Sequence, residues 1–141
     1  MSKQCLDVQQ MQHLQELGLE MKETMLYWAR CVDNNPRAAT HYGKWVLIKG
    51  NNAQTVGLMH WEFIPAYTLQ DVLGLLPKSI GVEYIYDLCI FPESISYTQF
   101  IGGEINDNLF VVPLNESLID AAYEMLVWAI ENKFVETDKN E

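Results

Sequence analysis

One stretch near the C-terminus, ESLIDAAYEMLVWAIENK at positions 116–133, constrains the fold more than any other. Its apolar residues Leu118, Ile119, Ala122, Met125, Leu126, Ala129 and Ile130 recur at three- and four-residue steps, the spacing of one helix face. Asp120, Glu124 and Glu131 form a second stripe, interrupted by Val127 and Trp128. Asn115 stands where a side-chain oxygen can cap the first free amides. Glu116 suits the positive end of the helix dipole and Lys133 the negative end. An apolar stripe of this length needs a matching surface, so the helix is expected to be the spine against which the rest of the chain packs.

The chain has 141 residues, enough for one domain with a sizeable core, expected over 1–134 with a charged tail at 135–141. Hydrophobic residues make up 49% and charged residues 20%, a globular balance that argues against disorder. The net charge is -10, from 19 acidic against 9 basic residues. Direct nucleic-acid binding is therefore not expected, because phosphates would be repelled. No apolar run reaches membrane-spanning length and MSKQCLDVQQ has no apolar signal core, so a cytoplasmic protein with no membrane partner is expected. Cys5, Cys31 and Cys89 are far apart, with neither zinc nor dithiol spacing, and are expected to be buried free thiols.

Taken in order, residues 6–17 read as a helix with Leu6, Met11, Leu14 and Leu17 on its apolar stripe and Gly18 just past its end. Residues 24–32 read as a strand apolar on both faces, with a helix as the rival. Trp45 to Lys49 and 55–63 read as the two arms of a hairpin turning at Gly50, Asn51 and Asn52, with Trp61 and Phe63 alternating with His60 and Glu62. Thr68 then caps a short helix over 69–76, with Asp71 closing a capping box and Pro77 ending it. Strands follow over 83–90, 94–101 and 109–112, with Pro92-Glu93 as one turn and a loop marked by Gly102-Gly103 and Asn106-Asp107-Asn108. The order is α-βββ-α-βββ-α. Strand runs joined by short turns and punctuated by helices predict a two-layer α+β domain of antiparallel meanders packed against helices.

The stretches CLDVQQMQHLQELGLE, IPAYTLQDVLGLLP and LIDAAYEMLVWAIENK together resemble small uncharacterised proteins encoded on prophages and other mobile elements of gut bacteria. The resemblance implies a phage-related accessory protein and carries no activity or functional residues to transfer.

His13, His41 and His60 have no metal-ligand spacing, so neither a metal nor another cofactor is expected. Cys31 with His41 or His60 is the one pairing that would suit a small hydrolase, and nothing local activates the thiol. Asp120 and Glu124, one helical turn apart, read as a solvated face rather than a shared-proton pair. Tyr123, Val127 and Trp128 lie outside the inward stripe of the spine helix, beside Asp120, Glu124 and Glu131. An apolar surface beside charge is the composition of a partner-binding surface. A homodimer would cover these residues, and so would the N-terminal helix or a loop. The expectation is a non-enzymatic binding or accessory protein working through protein–protein contacts, with a nucleic-acid-mimicking inhibitor as the alternative.

Overall fold

The structure, a computed structural model, describes residues 3–31, 44–50, 61–115 and 117–137. In chain order its elements are α1 (Val8–Glu16), β1 (Leu26–Cys31), β2 (Val46–Lys49), β3 (Trp61–Pro65), α2 (Leu69–Leu75), β4 (Ser79–Ile80), β5 (Tyr86–Phe91), β6 (Ser94–Ile101), β7 (Glu104–Pro113) and α3 (Leu118–Glu131). The strands make two antiparallel sheets, one ordered β2-β1-β3 and one ordered β4-β5-β6-β7. The chain is an α+β protein, with seven strands among the described residues where six were expected, because Ser79–Ile80 adds a two-residue edge beside β5.

α3 is the spine that its periodicity predicts. Leu118 is only half-buried, while Ile119, Ala122, Met125, Leu126, Ala129 and Ile130 are buried as expected, and so is Ala121. They join one continuous core with Met11 and Leu14 of α1, Val72 of α2, and Ile95, Tyr97 and Val112 of the four-stranded sheet. The helix starts two residues later than expected. Ser117, not Asn115, is its cap, its hydroxyl accepting from the Asp120 amide at 3.4 Å. The other two helix starts close as capping boxes. Thr68 and Asp71 exchange bonds of 2.9 and 3.3 Å as expected. Asp7 and Gln10 do the same at 2.8 and 3.0 Å, with Gln10 in the role more often given to glutamate.

The hairpin expected between Trp45 and Phe63 does not form. β1 lies between β2 and β3 and is antiparallel to both, so the two flanking strands run in the same direction and cannot be the arms of one tight turn. A strand apolar on both faces gains more burial at the centre of a sheet than at its edge, which is the place β1 takes. The alternation in β3 is also shifted. Ile64 is buried with Trp28 beside it, whereas Phe63 is 38% exposed. The remainder of the expected strand, 55–60, lies outside the described residues.

The four-stranded sheet is a true meander, and its hairpin is longer than the sequence pattern suggests. β7 runs ten residues and takes in Asn106, Asp107 and Asn108, which read as loop. Only Gly102 and Gly103 turn, with φ of 63° and 84°, the two positive values that a two-residue I′ connection needs. The asparagines stay in the strand because β6 offers them polar partners. Asn108 accepts from the Thr98 hydroxyl at 2.8 Å and Asn106 donates to Gln99 at 2.6 Å, across a register broken by irregularities at Tyr97/Thr98 and Gln99/Phe100. β5 starts at Tyr86, so residues 83–85 fall before it. Val135, expected in the tail, is buried in the core.

Candidate functional site

Among the described residues, no group of three or more His, Cys, Asp or Glu side chains could hold a metal ion. Cys5 and Cys89 are free, and burial pushes both thiols up, the opposite of an activated nucleophile. His13 is taken up by the Tyr123 hydroxyl at 2.6 Å. His41, His60 and the Cys31 side chain lie outside the described residues.

The structure divides the six residues that read as one partner surface. α3 meets other elements on three sides, not one. Asp120 faces α1, where its carboxylate accepts from Lys3 at 2.8 Å and from Gln10 at 2.9 Å. Burial by itself would raise its pKa, yet the bonds from Lys3 and Gln10 and the Lys3 charge prevail and hold it below the usual carboxylate range. Tyr123 also sits against α1 through His13, and burial pushes its phenol up. Trp128 faces the sheet. Its ring stacks on Phe110 at 4.6 Å with 3° between planes, and touches Tyr97 and Phe134 at 5.8 and 5.3 Å. Val127 packs against the core, while Glu124 and Glu131 are exposed. Asp120 and Glu124 line a cleft of about 170 Å³ with Pro113, Asn115, Ser117 and Ala121.

A different surface gathers exposed apolar side chains. β6 ends and β7 begins at the Gly102-Gly103 turn, and the connection from β4 to β5 lies at the same end of the sheet. Phe100 is registered with Ile105, and they are 40% and 56% exposed. Asp87 opposite Thr98 places the start of β5, and with it the connection that holds Ile85, at the end of the sheet where Phe100 lies. Ile85 is 49% exposed, and Val82 and Tyr84 in the same connection are 97% and 63% exposed. Ile101, at 59%, continues the row of Ile95 and Tyr97, both fully buried, past the reach of the helix. The reason is length. Ten residues of β7 extend ~33 Å, whereas fourteen residues of α3 span ~21 Å.

Polar side chains brace this end. Besides the Thr98–Asn108 and Asn106–Gln99 bonds, the Tyr86 hydroxyl donates to Asp107 at 3.0 Å and Ser96 bonds Thr98 at 2.6 Å. The polar braces cross all three long strands, so the apolar side chains stand on a fixed platform. Helical periodicity could not point here. The signal lay in the isoleucines on either side of a Gly-Gly turn, Ile101 and Ile105, backed by amide side chains.

Comparison with protein-family models, with curated proteins and with solved structures finds no match for this chain.

Proposed function

We propose that the protein is a non-enzymatic binding protein that engages a protein partner through the turn end of its four-stranded sheet. The observation that carries this reading is that Val82, Tyr84, Ile85, Phe100, Ile101 and Ile105, each at least 40% exposed, all lie at the turn end, with Phe100 and Ile105 on one face of the hairpin and Ile101 on the other. Contiguous apolar surface on a folded domain is characteristic of interaction sites. The braces behind it reduce the ordering cost of association, since the side chains are already held in place. The cytoplasmic, phage-related setting implied by the sequence suits an accessory protein that acts by occupying another protein.

The test is a paired Phe100→Ser, Ile105→Ser variant. It is expected to melt within a few degrees of wild type, and to lose host proteins that wild type retains from native extract. Identical retention by the two proteins would overturn the assignment of this surface.

A further inference from the structure

The charge of the molecule is distributed unevenly, and its distribution falls on this same surface. Between Lys78 and Lys133 the chain has no Lys, Arg or His, and it has nine of the 19 acidic residues. Segment 79–132 therefore carries -9, while the remaining ten acidic residues nearly balance the 9 basic ones. That segment is the whole four-stranded sheet with α3. At the turn end stand Glu83, Asp87, Glu104 and Asp107, all four exposed, with Glu104 paired to Ile101 beside the Phe100–Ile105 pair. Of the nine, Asp120 is neutralised by Lys3 at 2.8 Å, at the α1 side of the helix and away from the turn.

We infer that the partner presents a cationic amphipathic segment, with apolar side chains that cover Phe100, Ile105 and Ile85 and Lys or Arg residues that meet the carboxylates at that end. This rests on the binding surface proposed above and specifies what it takes. A second copy of this chain is a poor occupant, because two-fold contact would bring two segments of -9 together. Nucleic acid is repelled for the same reason. A basic segment gains twice. The field of the acidic half steers its approach, and the apolar contacts then slow its departure. The register irregularities of β7 interrupt regular pairing along its outer edge, so the side-chain surface is the platform, rather than the strand edge.

The probe is a labelled peptide of alternating leucine and lysine, with a leucine and glutamate peptide as its control, followed by fluorescence anisotropy at 0.05 and 0.15 M salt. Wild type is expected to bind the lysine peptide and not the glutamate one. Phe100→Ser with Ile105→Ser should weaken binding at least tenfold at both salt concentrations. Glu83→Gln with Glu104→Gln should weaken it several-fold and flatten the salt dependence, whereas Glu20→Gln with Glu23→Gln, far along the chain and outside the acidic half, should change neither. Equal losses from the two glutamate pairs would mean diffuse attraction and overturn the site. Full binding by the serine pair would overturn the apolar half of the inference. If extract partners depend on Phe100 and Ile105 while the lysine peptide never binds, the surface stands and its cationic ligand is wrong. Concentration-dependent dimerisation through these residues would overturn the ligand in favour of a second copy.

Discussion

The two ends of the β6–β7 hairpin are one pair of strands held together in two ways. At the end near Pro113, Ile95 pairs with Val112 and Tyr97 with Phe110, and α3 closes over them with Trp128 stacked on Phe110. At the turn end the helix has run out. There, the strands are joined by hydroxyl and amide side chains, and Phe100, Ile101 and Ile105 face water. Burial under the helix stabilises the first end, although Val111, on the face away from Ile95 and Val112, is 42% exposed. Hydrogen bonding stabilises the second without using its apolar side chains, which remain available. Similar residues thus serve the core at one end of a hairpin and stay exposed at the other.

The sharpest contrast should come from truncating one apolar residue in each region. Leu126→Ala removes a fully buried side chain from the centre of the core and should lower unfolding free energy by about 2–5 kcal/mol in urea titrations. Ile105→Ala should stay within about 0.5 kcal/mol, because more than half of that side chain is already wet. If the two variants lose similar stability, the turn end belongs to the core and is not a free surface.

The polar brace gives the next effect. Thr98 is fully buried and bonds both Ser96 and Asn108. Thr98→Val keeps the shape and leaves their oxygens short of a partner, at a cost of about 1–3 kcal/mol. Hydrogen exchange should rise at the Gly102-Gly103 end before it rises near Pro113. A uniform rise would show that the hairpin opens as one unit.

A gain is expected at the end of α3. α1 and α3 both finish in the same six-residue motif. Leu19 donates to Leu14 and Gly18 to Gln15 in one, and Phe134 to Ala129 and Lys133 to Ile130 in the other. The left-handed position is glycine in α1, at φ 93°, and lysine in α3, at φ 65°. A side chain there costs about 1 kcal/mol, so Lys133→Gly should raise the melting temperature by a few degrees. No rise would mean that Lys133 makes a compensating contact. Phe134 would still rest on Trp128 through the same turn.

The smallest effect concerns Asp120, and it belongs to the helix layer, not the hairpin. Its carboxyl is held below the usual range, so the stability that it contributes is present above about pH 4 and is lost as pH falls through the lowered value. Lys3→Met should therefore melt below wild type at pH 7, and the gap should narrow as acid protonates Asp120. A gap independent of pH would assign the loss to packing of the lysine stem.

The candidate surface was legible only in part. The helical wheel of α3 placed Tyr123, Val127 and Trp128 outside the main stripe correctly, but a wheel assumes one covering face. α1 and the sheet cover the other sides, and they do so with His13 and Phe110, which no local pattern links to α3. The turn-end cluster is spread over the connection before β5 and both arms of a hairpin, so strand register had to bring it together. Its acidic surroundings, in contrast, were countable along the chain as the absence of any basic residue between Lys78 and Lys133.

The sequence by itself determined the features whose partners lie within one or two helical turns. These are the apolar stripe of α3, the Thr68–Asp71 box, the Gly18 stop and the two-glycine turn. Each depends on neighbours at fixed spacing, and those interactions exist before any fold does. Only the tertiary structure decided that β1 lies between β2 and β3, and that α3 covers just one end of the hairpin. Alternation marks which residues of a strand share a face and is silent on which strand lies beside it. Strand order is chosen by the total apolar area that the finished core removes from water, a quantity that belongs to the whole chain.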